Sequence, residues 1–350
     1  MNEASVPIDI DPVLRRKRPL RDLLDDLGLY DYKPIAPAGL APLDPGSEVL
    51  VVLEPVAERS SQRVLLKERH SYLSDDEYRL QLELHRHLFR NGGPVAPLPE
   101  FVADRLPLIT PDGRLFSLQA WVEGRALNAD SLSDLAALGD ALACFHLATA
   151  DFKWTASPDV HKEPRERFEK AEFYRYLLRN YLGDSPDPLE MSLYAALRHA
   201  RAQLDALYEK TGPEPRQPIH GDSDPANALR LSHKCVLLDY DDVHLSTRAA
   251  DLAWLLTLCA GLKPVAGPVA LRFRSTWSKP HLDTIIGSYQ ARARLDYAGT
   301  QALRWWMVAA VICAVVDCFH HNGWLIEPTP LRREGRKALS LIDELKDIDL

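Results

Sequence analysis

Three polar residues within one short stretch of the chain could perform chemistry together. Asp222 lies two residues after His220, Asn227 follows in the same loop, and Asp239 lies shortly downstream. Carboxylate and amide oxygens are ligands that Mg²⁺ accepts, and a separate carboxylate can take a proton from an alcohol. Phosphoryl transfer from ATP needs both, because its catalysis consists mostly of positioning and charge neutralisation. The spacing of these residues therefore predicts an ATP- and Mg²⁺-dependent phosphotransferase.

The segment between Asn227 and Asp239 should bring these two residues together. It contains two apolar runs, residues 228–231 and 235–238, separated by three polar residues. This pattern predicts a hairpin with a three-residue turn. In that register Asn227 faces Asp239 at the open end, with Cα atoms about 4.5–5.5 Å apart. We expect the pair to share one Mg²⁺ ion, which leaves Asp222 to face the hydroxyl acceptor.

The first third of the chain reads as a small β-rich region with one clear helix. Ser74 and Glu77 form a capping box that starts a helix running to about Asn91. Three runs rich in Val and Leu are bounded by Pro, Gly and Ser, as strands often are. These predicted strands are residues 47–53, 62–66 and 115–122.

The rest of the chain reads as helical. Leu135, Leu138, Leu142 and Phe145 recur at helical spacing, and further helices are predicted downstream. The longest apolar run, residues 305–316, is too short to span a bilayer and predicts a buried helix. We therefore predict an α+β protein with three parts. These are a flexible N-terminal tail (1–18), a nucleotide-binding N-lobe (19–118), and a hinge with a helical C-lobe carrying the catalytic loop and acceptor site (119–350).

Composition excludes several classes of protein. The chain has 350 residues, 46% of them hydrophobic, which is ample for a sizeable core. Its formal net charge of −8 disfavours a nucleic-acid partner. Five cysteines without a CxxC pair disfavour a secreted disulfide scaffold. No apolar leader or membrane span is evident, so we expect a cytoplasmic protein that does not bind a membrane.

Residues 218–256 resemble the aminoglycoside phosphotransferase/choline kinase family, which shares the protein-kinase-like fold. The resemblance implies two lobes, a small β-rich N-lobe and a larger helical C-lobe. It extends over roughly residues 20–320. Similar segments are GGPVAPLP (92–99), LQAWVEGRAL (118–127), ALGDALACFHLATA (137–150) and RAADLAWLL (248–256), in which Asp251 matches the family's buried structural aspartate.

By position, the resemblance implies a role for each residue of the loop. It makes Asp222 the catalytic base and makes Asn227 and Asp239 the ligands of Mg²⁺. It also implies that His220 braces the catalytic loop through its ring nitrogens. Lys67, at the end of a predicted strand, matches the lysine that holds the α- and β-phosphates of ATP.

The remaining nucleotide contacts rest on the same resemblance. A glutamate on the predicted helix should pair with Lys67; we favour Glu83 over Glu77, because the capping box already explains Glu77. The phosphate-covering loop should include Gly46 and Ser47. An ordinary turn before a strand is an equally good interpretation of Gly46.

Adenine and acceptor binding leave a weaker signal in the sequence. The resemblance implies that backbone groups of Ala120 and Val122 hold adenine. Acceptor choice should lie in the added helices, chiefly residues 160–182 and 265–330. The acceptor is expected to be a small-molecule alcohol, and the acidic net charge is compatible with a cationic one such as an amino sugar or a choline-like amine. Asp241 could reach a second metal or the acceptor, or be a solvated acid at a strand end.

Two other functions remain open at this stage. A catalytically inactive nucleotide-binding module could have the same fold, but it would need no base such as Asp222. A protein Ser/Thr kinase is the other alternative. Such kinases carry a long activation segment, whereas here only eight residues separate Asp242 from Asp251.

Overall fold

The computed structural model of the chain describes residues 20–35, 50–56, 62–69, 73–99, 105–155, 164–182, 187–264, 271–320 and 328–350. Contacts divide these residues into two compact units. The first contains the described residues up to Leu82 together with Pro97–Val122. The second contains Glu83–Ala96 and Glu123–Leu350. The predicted tail, residues 1–18, lies outside the described residues.

The first unit is built on an antiparallel sheet of five strands in the order β1-β2-β3-β5-β4. A helix precedes the sheet, and a second helix, which runs on into the second unit, follows β3. The elements are α1 (Leu20–Asp26), β1 (Tyr32–Ile35), β2 (Leu50–Pro55), β3 (Val64–Glu68), α2 (Asp75–Arg90), β4 (Leu108–Ile109) and β5 (Leu115–Ala120).

Strand β3 shows why these residues form a half-buried sheet. Val64 and Leu66 are buried in the core of the unit, whereas Leu65 and Lys67 are partly exposed. This alternation is the period of two that a strand with one buried face requires. Lys67 lies opposite Leu50 on β2 and Ser117 on β5. The sheet therefore holds Lys67 between two neighbouring strands.

The start of α2 confirms the predicted capping box. The Ser74 backbone N–H donates to Glu77 Oε2 at 3.1 Å, and the Glu77 N–H donates back to Ser74 Oγ at 3.3 Å. These reciprocal bonds satisfy two helix-start groups that have no partner within the helix. The helix then runs to Arg90, close to the predicted end.

The second unit is mostly helical, with short strands beside the loops. Its strands are β6 (Arg125–Ala126), β7 (Gln217–Ile219), β8 (Ala228–Arg230), β9 (Cys235–Leu237), β10 (His244–Ser246), β11 (Leu262–Pro264) and β12 (Leu271–Phe273). Its helices are α3 (Leu132–Thr149), α4 (Arg167–Leu182), α5 (Pro188–Thr211), α6 (Arg248–Leu256), α7 (Lys279–Arg292), α8 (Tyr297–His320) and α9 (Pro328–Glu344), with a 3₁₀ turn at Pro225–Asn227 and a π-helical turn at Thr257–Gly261. Together with the sheet of the first unit, these helices confirm the α+β fold class.

Helix α8 contains the long apolar run and forms the centre of the second unit. Every residue from Trp306 to Val316 is buried, as predicted for this run. Among the described residues, its stretch Tyr297–Val316 is the one helix long and apolar enough to cross a membrane, and 78% of its most apolar part is buried inside the protein. Such burial is typical of a core helix, because a helix that is apolar all round must be covered.

Candidate active site

The loop between β7 and β8 is anchored by a buried carboxylate from α6. Asp251 accepts hydrogen bonds from the backbone N–H of His220 at 2.8 Å and of Gly221 at 3.2 Å. His146 Nε2 lies 3.0 Å from the same carboxylate. Burial alone would raise the pKa of Asp251, but the bonds from His146 and the backbone outweigh it and hold the pKa at about 2. An ionised Asp251 therefore fixes the start of the loop.

Gly221 allows the loop to pass close to the chain that follows β9. Its φ is +81°, a left-handed conformation that favours glycine. A Cβ atom at this position would lie 2.2 Å from the carbonyl oxygen of Asp242. A side chain there would force the two backbone segments apart, so the glycine is required by both conformation and space.

Asp222 is held through both of its carboxylate oxygens. Asn227 Nδ2 donates to Oδ2 at 2.7 Å, and Trp254 Nε1 donates to Oδ1 at 3.0 Å. Burial raises the pKa of Asp222, and the nearby carboxylate of Asp242 raises it further; the Trp254 bond and the charge of Arg167 act in the opposite direction. The result is a fixed carboxylate with a raised pKa, the type of group that can accept a proton during a reaction.

The hairpin after the loop forms, but in a different register from the predicted one. Ala228 pairs with Leu237, and the Leu231 N–H donates to the Lys234 carbonyl at 2.8 Å. The turn therefore has two residues, not three, and Asn227 lies opposite Leu238. The prediction that Asn227 pairs with Asp239 was wrong by one residue. Lys234 therefore joins the ladder opposite Leu231.

Asp239 directly follows Leu238, whose backbone N–H and carbonyl are both hydrogen-bonded. The Leu238 N–H donates to the Asn227 carbonyl at 2.8 Å, and His220 Nε2 donates to the Leu238 carbonyl at 2.9 Å. Asp239 itself has a φ of 60°, which is uncommon for a residue other than glycine. Strained backbone of this kind persists where the surroundings enforce it, often at functional sites. Asp239 therefore lies one residue beyond Leu238, which is the residue opposite Asn227.

The donor atoms of Asn227 and Asp239 fit a hard divalent cation. Because the Asn227 amide nitrogen donates to Asp222, its amide oxygen is directed away from that carboxylate. One amide oxygen and one carboxylate are few for an all-protein site, and the described residues contain no group of three or more His, Cys, Asp or Glu suited to a metal. Magnesium bound with a nucleotide needs few protein ligands, since phosphate oxygens and water complete its octahedron. The oxygens of Asn227 and Asp239 are of the type that Mg²⁺ accepts.

The glutamate predicted to pair with Lys67 lies on α2. Lys67 and Glu77 belong to the first unit, whereas Glu83 belongs to the second. Glu77 is buried and Glu83 is exposed. The pairing of Lys67 with Glu83 stays a prediction, and Glu77 is bonded to Ser74 as the capping box requires.

Only two of the other residues predicted to bind the nucleotide, Ala120 and Val122, are among the described residues. Ala120 donates its backbone N–H to the Pro97 carbonyl at 2.8 Å, so this group is not available to adenine. Val122 ends the first unit and is partly exposed. Gly46 and Ser47 lie outside the described residues. Of the predicted site residues, Asp222 and Asn227 are in direct contact.

Two residues that contact the loop were missed in the sequence. Trp254 lies three positions after Asp251 on α6, so helical spacing places both on one face; the periodicity could have revealed it. Arg167 starts α4, donates through Nη2 to the Gly221 carbonyl, and stacks on the Trp254 ring. Nothing in the spacing of Arg167 indicates this, because its neighbours come from distant parts of the chain.

The fold resembles that of several solved kinases. A choline kinase from Cryptosporidium parvum Iowa II has a TM-score of 0.59 at 13% identity, with 90% of each chain covered. An aminoglycoside phosphotransferase from Alicyclobacillus acidocaldarius has a TM-score of 0.55 at 17% identity, covering 92% of this chain and 98% of that one. An amicoumacin kinase in complex with AMP-PNP and Ca²⁺ has a TM-score of 0.52 at 14% identity, covering 91% and 88%.

These likenesses show that the chain has the protein-kinase-like fold. No curated protein matches the chain by sequence. The family model described as "phosphotransferase enzyme family" matches residues 50–300, which is more than two thirds of the chain. The match includes both the strand that carries Lys67 and the loop that carries Asp222. The chain therefore belongs to the phosphotransferase enzyme family.

Proposed function

We propose that the protein transfers the γ-phosphoryl group of ATP to a hydroxyl group of a small molecule, with Asp222 as the base. The observation that carries this proposal is the fixed Asp222 carboxylate, held by Asn227 and Trp254 in a loop that Asp251 anchors. Membership of the phosphotransferase family supports a small-molecule kinase.

The carboxylate of Asp222 has the capacity to act on an alcohol. Each of its oxygens accepts one hydrogen bond from Asn227 or Trp254, and an ionised carboxylate can accept about four. The hydroxyl oxygen would form a bond to the γ-phosphorus as the bond to the β–γ bridging oxygen breaks, releasing ADP. Asp222 would take the hydroxyl proton, and its raised pKa makes the protonated form easier to reach.

Three side chains would hold the phosphates of Mg·ATP. Asn227 and Asp239 supply oxygens suited to Mg²⁺, and Lys67 supplies a cation for the α- and β-phosphates. When bound, magnesium would neutralise charge on the β- and γ-phosphates. Nucleotide use is further supported by the related amicoumacin kinase, which was solved with AMP-PNP.

The acceptor is proposed to be a small alcohol that carries a positive charge. Asp241 and Asp242 closely follow Asp239 in the chain, and Asp242 lies near enough to Asp222 to raise its pKa, so the surroundings of the proposed base are acidic. The protein as a whole has a net charge of −8. The positive charge of an amino sugar, of an antibiotic that carries an amino group or of a choline-like metabolite would be complementary to this negative charge.

A transfer assay with Mg·ATP and a panel of hydroxylated amines tests the proposal. Asp222→Asn should lower kcat by about 10²- to 10⁴-fold, because it removes the proton acceptor. Asp224→Asn is the matched control: Asp224 lies in the same loop and caps the 3₁₀ turn by accepting from the Ala226 N–H at 2.6 Å, which an asparagine can also do. Full activity of Asp222→Asn, or no transfer by the wild type to any amine, would contradict the proposal.

Nucleotide binding can be tested without knowing the acceptor. ATP should raise the Tm of the wild type in the presence of Mg²⁺ and much less with EDTA, because ligand binding to the native state stabilises it. Asp239→Ala should lose most of the Mg²⁺-dependent part. An equal shift with and without Mg²⁺ would count against the assigned cation ligands.

A further inference from the structure

Arg167 is a buried cation whose surroundings are unusual for a structural residue. Its side chain is only 3% exposed. It donates to the Gly221 carbonyl and lies over the Trp254 ring, with Cζ 3.8 Å from the ring centroid. Within the described parts of the chain, no carboxylate forms an ion pair with it. Burying a guanidinium without such a partner costs stability, so its location calls for another explanation.

The ring that Arg167 covers is the one that holds Asp222. The Trp254 indole N–H donates to Asp222 Oδ1 at 3.0 Å, and the other carboxylate oxygen is held by Asn227. A guanidinium stacked on an indole restricts the plane of the ring. The direction of the indole N–H, and with it the orientation of the Asp222 carboxylate, then depends on Arg167.

The start of α4 is itself fixed to the elements around the loop. Cys313 Sγ on α8 lies 3.5 Å from the Arg167 carbonyl. Two residues earlier, Arg165 Nη1 donates to the Val243 carbonyl at 2.9 Å, in the segment that follows Asp239. The segment 165–167 therefore contacts the chain on both sides of the site, before Asp222 and after Asp239.

We propose that Arg167 and Trp254 are positioning residues, which hold the Asp222 carboxylate in the orientation that receives the acceptor proton. Arg167 acts on the loop directly through the Gly221 carbonyl and indirectly through the Trp254 ring. Trp254 acts on Asp222 Oδ1 through its indole N–H. This inference rests on the proposed phosphotransferase function, in which Asp222 is the base.

A purely structural role would give a different result from a positioning role. If Trp254 only filled the core, its replacement would lower stability and leave the folded protein fully active. If it positions Asp222, its replacement lowers kcat of the folded protein. Trp277 is a matched control, since it is a buried tryptophan of the same unit whose indole N–H donates to the Leu341 carbonyl at 2.8 Å, outside the site.

The kinetic test compares Trp254→Phe and Arg167→Met with Trp277→Phe. The first two should lower kcat by about 10- to 100-fold, the usual effect of losing a hydrogen bond to a charged group. The KM for ATP should stay within about twofold, because neither residue is assigned to the nucleotide. Arg167→Lys should restore part of the loss, since it keeps the cation. A kcat within twofold of the wild type for Trp254→Phe would overturn the proposal.

A double variant tests whether the two residues act through the same carboxylate. If they do, Arg167→Met/Trp254→Phe should lose about as much kcat as the more damaging single variant. Residues that act as one unit show such non-additive effects. If the two losses multiply, Arg167 and Trp254 act independently and the link between them is wrong.

A spectroscopic readout keeps this inference separate from the proposed function. The Trp254 indole resonance, identified by its loss in Trp254→Phe, should shift in Asp222→Asn and in Arg167→Lys in spectra of ¹⁵N-tryptophan protein. The Trp277 resonance should not move. If the wild type transfers no phosphate but the Trp254 resonance shifts, the proposed function fails and the linked contacts stand. If the resonance does not shift, the positioning role is overturned whatever the activity.

Discussion

Two carboxylates that contact the same loop have contrasting environments. Asp251, on α6, accepts from two backbone N–H groups of the loop and lies beside His146, and its pKa is held at about 2. Asp222, in the loop itself, accepts from two neutral side-chain donors and lies near Asp242, and its pKa is raised. The anionic form of the same chemical group is thus stabilised in Asp251 and destabilised in Asp222.

The difference shows how one loop can combine rigidity with reactivity. Backbone N–H groups are permanent donors, so Asp251 stays ionised and acts as an anchor. Asp222 has spare lone pairs and a like charge nearby, so it can gain a proton at little cost. Environments that push two carboxylates in opposite directions often mark a division between structural and chemical roles.

The largest expected effect is a difference in the free energy of unfolding between variants of the two carboxylates. Asp251→Ala should lower the free energy of unfolding by about 3–5 kcal/mol, because it leaves buried donors of His220, Gly221 and His146 without their acceptor. Asp222→Ala should change it by less than about 1 kcal/mol, since relief of the contact with Asp242 offsets the lost bonds. Urea unfolding at pH 7 measures both. Equal losses would remove the distinction between anchor and base.

Acidification should weaken the protein through histidines before it affects Asp251. Burial lowers the pKa of both His85 and His244 to about 4. The unfolded chain binds a proton at each near pH 6.5, so their contribution is complete above pH 6.5 and declines as pH falls towards 4. At pH 5 the loss should be about 2 kcal/mol for each. Asp251, with its pKa at about 2, contributes until pH falls below 3.8.

Urea unfolding at pH 7 and pH 5 measures this loss. His85→Gln places its amide nitrogen where it can keep the bond to the Ala96 carbonyl, 2.7 Å from Nε2 in the wild type. Between pH 7 and pH 5 it should lose about 2 kcal/mol less stability than the wild type, because glutamine does not titrate. The same pH dependence in the wild type and in His85→Gln would mean that His85 is not buried as a neutral ring.

The close approach at Gly221 should be visible in a pair of glycine variants. Gly221→Ala combines a left-handed φ of +81° with a collision against the Asp242 carbonyl. Gly212→Ala has a similar φ of +80° but nothing within 4 Å of the new methyl group. We expect about 1 kcal/mol of destabilisation for Gly212→Ala and about 2 kcal/mol more for Gly221→Ala. Thermal unfolding of both gives the difference; equal effects would show that the loop yields easily.

The smallest expected effect is a gain in stability at the proposed cation ligand. Asp239→Gly should raise the free energy of unfolding by up to about 1 kcal/mol, because glycine adopts the left-handed backbone without strain. The same variant should lose the Mg²⁺-dependent part of the ATP-induced Tm shift. If Asp239→Gly is less stable than the wild type, the backbone at Asp239 is not strained. If the variant keeps the full Tm shift, the Asp239 carboxylate is not a ligand of Mg²⁺.

Local sequence pattern predicted the elements that need only nearby residues. The capping box of Ser74 and Glu77, the buried run in α8 and the existence of the β8–β9 hairpin follow from spacing within a few residues. The register of the hairpin did not follow, because one polar residue, Lys234, could belong to either the turn or the strand. Pairing energies between the two strands decide such a choice, and they are not visible in a single run of sequence.

The sequence by itself determined the fold class, the family and the loop that carries Asp222 and Asn227, because these depend on residue types at short, regular spacing. The tertiary structure decided which groups surround Asp222. Trp254, Arg167 and Asp242 reach it from α6, α4 and the segment after β9. Their effects on its orientation and pKa arise from burial and from charges a few ångströms away, so they depend on how distant segments pack and not on their order in the chain.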